Sequence, residues 1–244
     1  MINYNSLSVA EIVLNQPNAV TIFEEYHIDF CCKGKLLLSE ACSLQNVDVE
    51  KIEKLLNEIP SQTDSLRTIP VNGSINELVD YVINRHHYYF WKQLPLIKEH
   101  MIKVINAHGE HHPFLADLKR SVNELLIDLE QHMLKEEQVL FPYFKELSKI
   151  SPSGNSKSQT IHFLKKPITM MEIEHERAGE LLEQIRKISS NFTPPPSACT
   201  TFKLLYTELE AFERDLHQHI FVENTILFPK GLTLEVELTA TAPM

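Results

Sequence analysis

Two stretches of the chain repeat each other with the same chemistry at the same spacing. His132-x3-Glu136-x3-Leu140-Phe141-Pro142 recurs as His219-x3-Glu223-x3-Leu227-Phe228-Pro229. A step of four places a nitrogen and a carboxylate one turn apart on one helix face. The Leu-Phe-Pro that follows is expected to close each helix one to two turns later. A repeat of this kind fits a bundle in which two helices supply equivalent halves of one site.

The surrounding sequence supplies that bundle. A first helix opens with the capping box Ser74–Glu77 and runs to about Ala107, where Gly109 and Pro113 break it. A second runs from Pro113 to Ser148, ahead of a Ser/Gly/Asn-rich loop at 151–159. A third spans about Gln159 to Ser190 and stops before Pro194-Pro195-Pro196, and a fourth runs from near Ser197 to a stop at Pro229-Lys230-Gly231. The prediction is an all-α fold, an up-down-up-down four-helix bundle over 74–232. Before it lie a small helical, cysteine-bearing domain at 1–58 and a polar linker at 59–73; residues 233–244 read as a frayed tail.

Each helix carries an apolar seam stepping by four and three residues, a spacing that keeps the seam on one inward stripe. The first seam includes Ile83, His87, Phe90, Leu94, Ile97, Met101 and Val104; the second Leu118, Val122, Leu125, Leu129, His132, Glu136 and Val139. The third runs Ile161, Leu164, Ile168, Met171, His175, Ala178, Leu182 and Ile185; the fourth Phe202, Leu205, Leu209, Phe212, Leu216, His219, Glu223 and Ile226. A single histidine on such a face is ordinarily a hydrogen-bonded core residue. Here every helix brings one, two helices add a glutamate, and no Lys or Arg lies on the seams to offset the buried carboxylates. A metal is the simplest compensation. Four histidines and two glutamates divide as two metals with two histidines each, bridged by both carboxylates, and a mixed nitrogen and oxygen set suits iron among several cations.

Among the other histidines, His86 lies off the stripe beside the preferred His87, and His217 points away from His219. His108, His111 and His112 fall at a turn. Glu174 and Asp128 are candidates for orienting ligands from outside. The vicinal thiols Cys31 and Cys32 are candidates for redox or iron-transfer chemistry; the plain alternative is one packed and one exposed thiol. Cys42 and Cys199 read as core residues. A net charge of -10, with only short basic runs, argues against nucleic-acid binding. No apolar stretch is long enough to span a membrane and no signal peptide is visible, so a cytoplasmic protein is expected.

These residues resemble the hemerythrin-like di-iron proteins called Repair of Iron Centers, of the ScdA/YtfE type. The likeness covers nearly the whole chain, through EQHMLKEEQVLFP, MEIEHERAGELLEQI, HIFVENTILFP and TPPPSACTTFKLLY in the bundle and NAVTIFEEYHIDFCCKG before it. It implies His87, His132, Glu136, His175, His219 and Glu223 as ligands of two non-haem irons, bridged by oxo or hydroxo and by carboxylate. It implies repair of iron-sulfur clusters damaged by nitrosative or oxidative stress, with damaged iron-sulfur proteins as clients. Nitric oxide or dioxygen would be the small ligands. Reduction of nitric oxide to nitrous oxide and an oxygen- or redox-sensing role are the alternatives, and a homodimer is left open. Two departures stand out. Gly179 occupies the position where oxygen-carrying hemerythrins place a second third-helix histidine, and Lys33 follows the vicinal cysteines where this family usually has glycine.

Overall fold

The structure is a computed structural model that describes residues 4–59, 69–150 and 163–240. The expected loop at 151–159, the seam residue Ile161 and most of the linker lie outside the described residues. Four short helices come first: α1 (Val9–Asn15), α2 (Ala19–Glu25), α3 (Leu38–Leu44) and α4 (Val49–Glu58). Ser8 caps α1 in a reciprocal box with Glu11, and Asp48 caps α4. Fully buried Ile12, Phe23, Leu38, Ile52 and Leu56 give these helices a core.

Four long helices follow: α5 over 75–108, α6 over 114–147, α7 (Lys165–Ile188) and α8 over 200–240. The expected capping box starts α5, with the Ser74 amide donating to Glu77 Oε2 at 2.6 Å. Helix α6 packs chiefly on α7, and α5 chiefly on α8. Between α7 and α8 the bundle is more open, and there the N-terminal segment closes over it. Phe30 packs on Phe221 of α8, Cys32 reaches the α7 backbone, and Lys35 pairs with Glu172.

Three of the long helices are interrupted by a π-turn: Ile83–His87 in α5, Glu136–Leu140 in α6 and Glu223–Leu227 in α8. In each, the next amide reaches back five residues, as from Phe141 to the Glu136 carbonyl and from Phe228 to that of Glu223. This corrects the expectation that Leu-Phe-Pro ends the helix, while the end of α6 at Leu147 agrees with the boundary expected near Ser148. A proline in a regular α-helix collides with the carbonyl four residues back, and the extra residue of the π-turn opens the ladder at that point. Both helices therefore run on past Pro142 and Pro229.

The π-turns also shift two seams. Val139 is 50% exposed and Leu140 takes its inward place, while Val82 is buried where Ile83 was expected. Each shift is one residue, the length the bulge inserts.

The fourth helix continues to Ala240 and does not stop at Gly231. Gly231 serves close packing there: a Cβ on it would lie 2.2 Å from the Phe144 ring. Nor is the segment after 232 a frayed tail throughout. Glu235 is buried, and Oε1 accepts the Tyr143 hydroxyl (3.0 Å) and the amides of Phe163 (3.0 Å) and Leu164 (3.2 Å), orphan donors at the start of α7.

Candidate metal centre

The seams bring all six expected residues to one point inside the bundle, each no more than 2% exposed. Glu136 stands between His87 (Nε2–Oε2 3.2 Å) and His132 (Nε2–Oε1 3.3 Å). Glu223 stands between His175 (Nε2–Oε2 3.2 Å) and His219 (Nε2–Oε1 2.9 Å). Two groups with donor atoms within 4.8 Å of one another overlap here: His87, His219, Glu136, Glu223, and His132, His175, Glu136, Glu223. Both carboxylates belong to both groups. Each group could hold one cation.

The fit of a metal can be judged from unmet demand. All four carboxylate oxygens of Glu136 and Glu223 are buried without a hydrogen-bond partner among the described residues, as are Nε2 of His87 and of His219. His132 Nε2 and His175 Nε2 face each other at 3.0 Å. Orphaned acceptors of this number are costly in a protein core. A cation in each group satisfies them together, and the residues present fit it.

The electrostatics agree. Burial drives the Glu223 carboxyl upward, but the imidazoles of His219 and His175 more than reverse this and hold it well below its usual range. Burial opposes charge on His132, yet Glu136 and Glu174 hold it up to about 10. At His219 burial prevails and the imidazole is lowered. The carboxylates act as a sink for positive charge.

The outer nitrogens are oriented from three directions. His132 Nδ1 meets Glu174 Oε2 at 2.8 Å, and the hydrogen bond from His132 with the Lys135 ammonium lowers Glu174 to about 2. Of the two expected orienting residues only Glu174 acts; Asp128 instead pairs with Arg177 at 2.8 Å. His87 Nδ1 meets Glu137 Oε1 at 2.7 Å, and His175 Nδ1 meets Asn224 Oδ1 at 2.9 Å. Neither Glu137 nor Asn224 was anticipated. The repeat held the signal, since each directly follows one of the two shared glutamates. His86 is buried too, with Nδ1 3.1 Å from Asp215 and its ring stacked on His219 at 5.4 Å, and it belongs to neither group.

The space beside Gly179 is filled. A Cβ there would lie 3.1 Å from Cys32 Sγ, so the N-terminal segment sits where a larger side chain would project. Cys32 Sγ donates to the His175 carbonyl at 3.3 Å, and Asn224 Nδ2 donates to the Cys31 carbonyl at 3.3 Å. His217 lines the pocket beside these thiols. Cys42 is buried as expected, but Cys199 is exposed at the N-cap of α8, where His108 and the Phe202 amide lower its thiol to about 7.

Comparison with known proteins places this geometry. Residues 78–231 match the Hemerythrin HHE cation binding domain, and residues 5–60 match ScdA_N, a domain of unknown function. The chain is 36% identical over 234 residues to the iron-sulfur cluster repair protein YtfE of Escherichia coli O8, covering 95% of this chain and 99% of that one. It is 35% identical to the protein of the same name from Citrobacter koseri, covering 96% of this chain and 100% of the relative. For the Salmonella schwarzengrund protein the identity is 34%, over 95% and 99%.

Proposed function

Since this chain belongs to the hemerythrin-like family of YtfE-type iron-sulfur cluster repair proteins, we propose that it repairs iron-sulfur clusters damaged by nitrosative or oxidative stress, supplying iron from a two-iron centre in the bundle. The observation that carries the reading is the set of four buried, partnerless carboxylate oxygens ringed by four imidazoles. His87 and His219 would hold one iron and His132 and His175 the other, with Glu136 and Glu223 shared. Iron bound there would supply a redox-active and exchangeable cation, since no thiolate belongs to the bundle set.

The chain's own groups determine how that iron is kept. Glu137, Glu174 and Asn224 fix the three imidazoles they touch, so the inward nitrogens converge before any cation arrives. Gly179 brings no ligand where oxygen-carrying hemerythrins have a histidine, and Cys32 lies against it. This arrangement favours a releasable ion over a locked structural one. With the reading go a division into an N-terminal domain (1–58), a linker (59–73) and the bundle (74–232). Nitric oxide and dioxygen are the small molecules that meet the centre, and the setting is cytoplasmic, as a single chain or a homodimer. No helix among the described residues is long and apolar enough to cross a membrane.

The test is direct. Protein purified without oxygen and loaded with ferrous iron is mixed with a nitric-oxide-inactivated iron-sulfur enzyme, with iron-free protein and an equal dose of free iron as controls. Loaded protein is expected to hold two irons per chain, one for each group, and to restore activity beyond both controls. No revival by fully loaded protein would overturn the reading.

A further inference from the structure

Outside the bundle, the N-terminal segment gathers three more donor atoms at one point. Asp29 Oδ1 accepts the amides of Cys31 (3.0 Å) and Cys32 (2.8 Å), which folds the turn so that both thiols face the same way. Neighbouring side chains on an extended strand would point apart. Here Cys31 Sγ is 3.6 Å from Cys32 Sγ and 3.3 Å from Asp29 Oδ1, and the three donor atoms all lie within 4.8 Å of one another.

Those separations are close to the edges of a coordination tetrahedron. With metal–sulfur bonds of ~2.3 Å and metal–oxygen bonds of ~2.1 Å, sulfurs sit ~3.8 Å apart and sulfur and oxygen ~3.6 Å apart. Two of the three edges are thus within a few tenths of an ångström of a chelating geometry, and the third is no longer than 4.8 Å. Two sulfurs and one carboxylate oxygen select borderline divalent ions such as Fe(II), Co(II) and Zn(II) over Mg(II) or Ca(II). Access comes from a pocket of about 430 Å³ between the N-terminal segment and the bundle, with Lys33, Arg186 and His217 on its walls. The pocket leaves the fourth position to solvent or to an incoming ligand.

We propose that Asp29, Cys31 and Cys32 form a third cation site, for one divalent transition-metal ion held by two sulfurs and one oxygen, beside the His175 corner of the bundle centre. Binding is balanced by proton release: the divalent ion displaces one proton from each thiol, with no change of oxidation state. The site's place gives it a role as the station through which iron leaves the bundle, a role that rests on the repair reading. Cys32 Sγ lies against the His175 carbonyl, and Asn224 joins the His175 ring to the Cys31 carbonyl, so the two sites meet at a single residue.

The experiment uses full-length, iron-loaded, thiol-reduced protein titrated with Co(II) without oxygen. A near-ultraviolet thiolate-to-cobalt charge-transfer band is expected, saturating at about one ion per chain. It should vanish in Cys31→Ser/Cys32→Ser while the iron content of the bundle stays unchanged. Asp29→Asn guards against a trivial loss of fold, because its Oδ1 still accepts both amides; binding about tenfold weaker with unaltered circular dichroism reads the lost charge. Absence of the band in the native protein, or its persistence in the double serine variant, would overturn the site and leave the repair reading standing. Failure of the native protein to revive a damaged cluster would do the reverse.

Discussion

The two halves of the bundle centre repeat the same ligands and differ at the residue that follows each shared glutamate. In the Glu136 half, the residue after the shared glutamate is Glu137, which holds the His87 ring with a carboxylate. In the Glu223 half it is Asn224, which holds the His175 ring with an amide. A carboxylate can only accept, whereas an amide accepts at one end and donates at the other. Asn224 uses that second end on the Cys31 carbonyl. The Glu136 half is therefore braced within the bundle, while the Glu223 half is wired to the N-terminal segment. The residue after the shared glutamate thus ties one half, and not the other, to the segment that bears the vicinal thiols.

Removing a shared carboxylate should have the largest effect and should nearly abolish the comparison. Glu136→Ala and Glu223→Ala should each weaken metal binding by more than ~100-fold, beyond the ~10–100-fold that follows loss of an outer hydrogen bond. Metal analysis after dialysis would then show one ion or fewer per chain. Equal retention of two ions in either variant would refute a shared role.

Next come the bracing residues. Glu137→Gln removes the anionic partner of His87 and should cost ~10-fold in metal affinity, read by competition with a chelator. Asn224→Leu should cost a similar amount and also free the N-terminal segment, seen as hydrogen exchange spreading through α1 and α2. If Glu137→Gln loosened those helices equally, the proposed division between the halves would fail.

Asn224→Asp sharpens the contrast by making the second half a copy of the first. His175 keeps an acceptor, and a stronger one, but the Cys31 carbonyl loses its donor and meets a carboxylate. Metal retention should hold or rise while Cys32 alkylates several-fold faster, measured by mass spectrometry. Unchanged alkylation would show that Asn224 does not anchor the segment.

The smallest effect is a pH dependence at the same docking face. Burial raises the Glu24 carboxyl to about 7 against the pull of Arg214, whose Nε lies 3.8 Å away. A carboxyl raised above its usual 4.5 keeps its proton longer in the folded chain. Its contribution is complete below 4.5, is lost as pH climbs towards 7, and is flat beyond. Glu24→Gln should then leave urea stability unchanged near pH 4.5 and raise it at pH 8 by about 1 kcal/mol or less, allowing for solvent screening. A gain at the lower pH would reverse the sign and discard the explanation.

Much of this centre was legible in the sequence because the ligands lie no deeper than the edge of each bulge. His87 is the last residue of its π-turn, Glu136 and Glu223 are the first of theirs, and α7 has no bulge, so seam counting puts these side chains in place. Beyond the bulge the same counting slips by one, as at Val139 and Ile83, because the method presumes 3.6 residues per turn throughout. Contacts between distant segments carry no periodic mark at all. Cys32 against Gly179 and Glu235 against Phe163 join residues that no local pattern relates. Cys199 failed for a different reason: its residue type suggests burial, while its position at the start of a helix exposes it.

The Glu235 clasp bears on when the centre can be built. Synthesis runs from the N-terminus, so α7, with His175 on it, leaves the ribosome well before the residue that satisfies its first amides, 72 positions after Phe163. Glu223 arrives almost as late. Until then the early helices carry their histidines and Glu136 without the second buried carboxylate of the site. The six residues therefore come together only after Glu223 has been made, and a nascent chain stalled before residue 223 would expose an incomplete set of them.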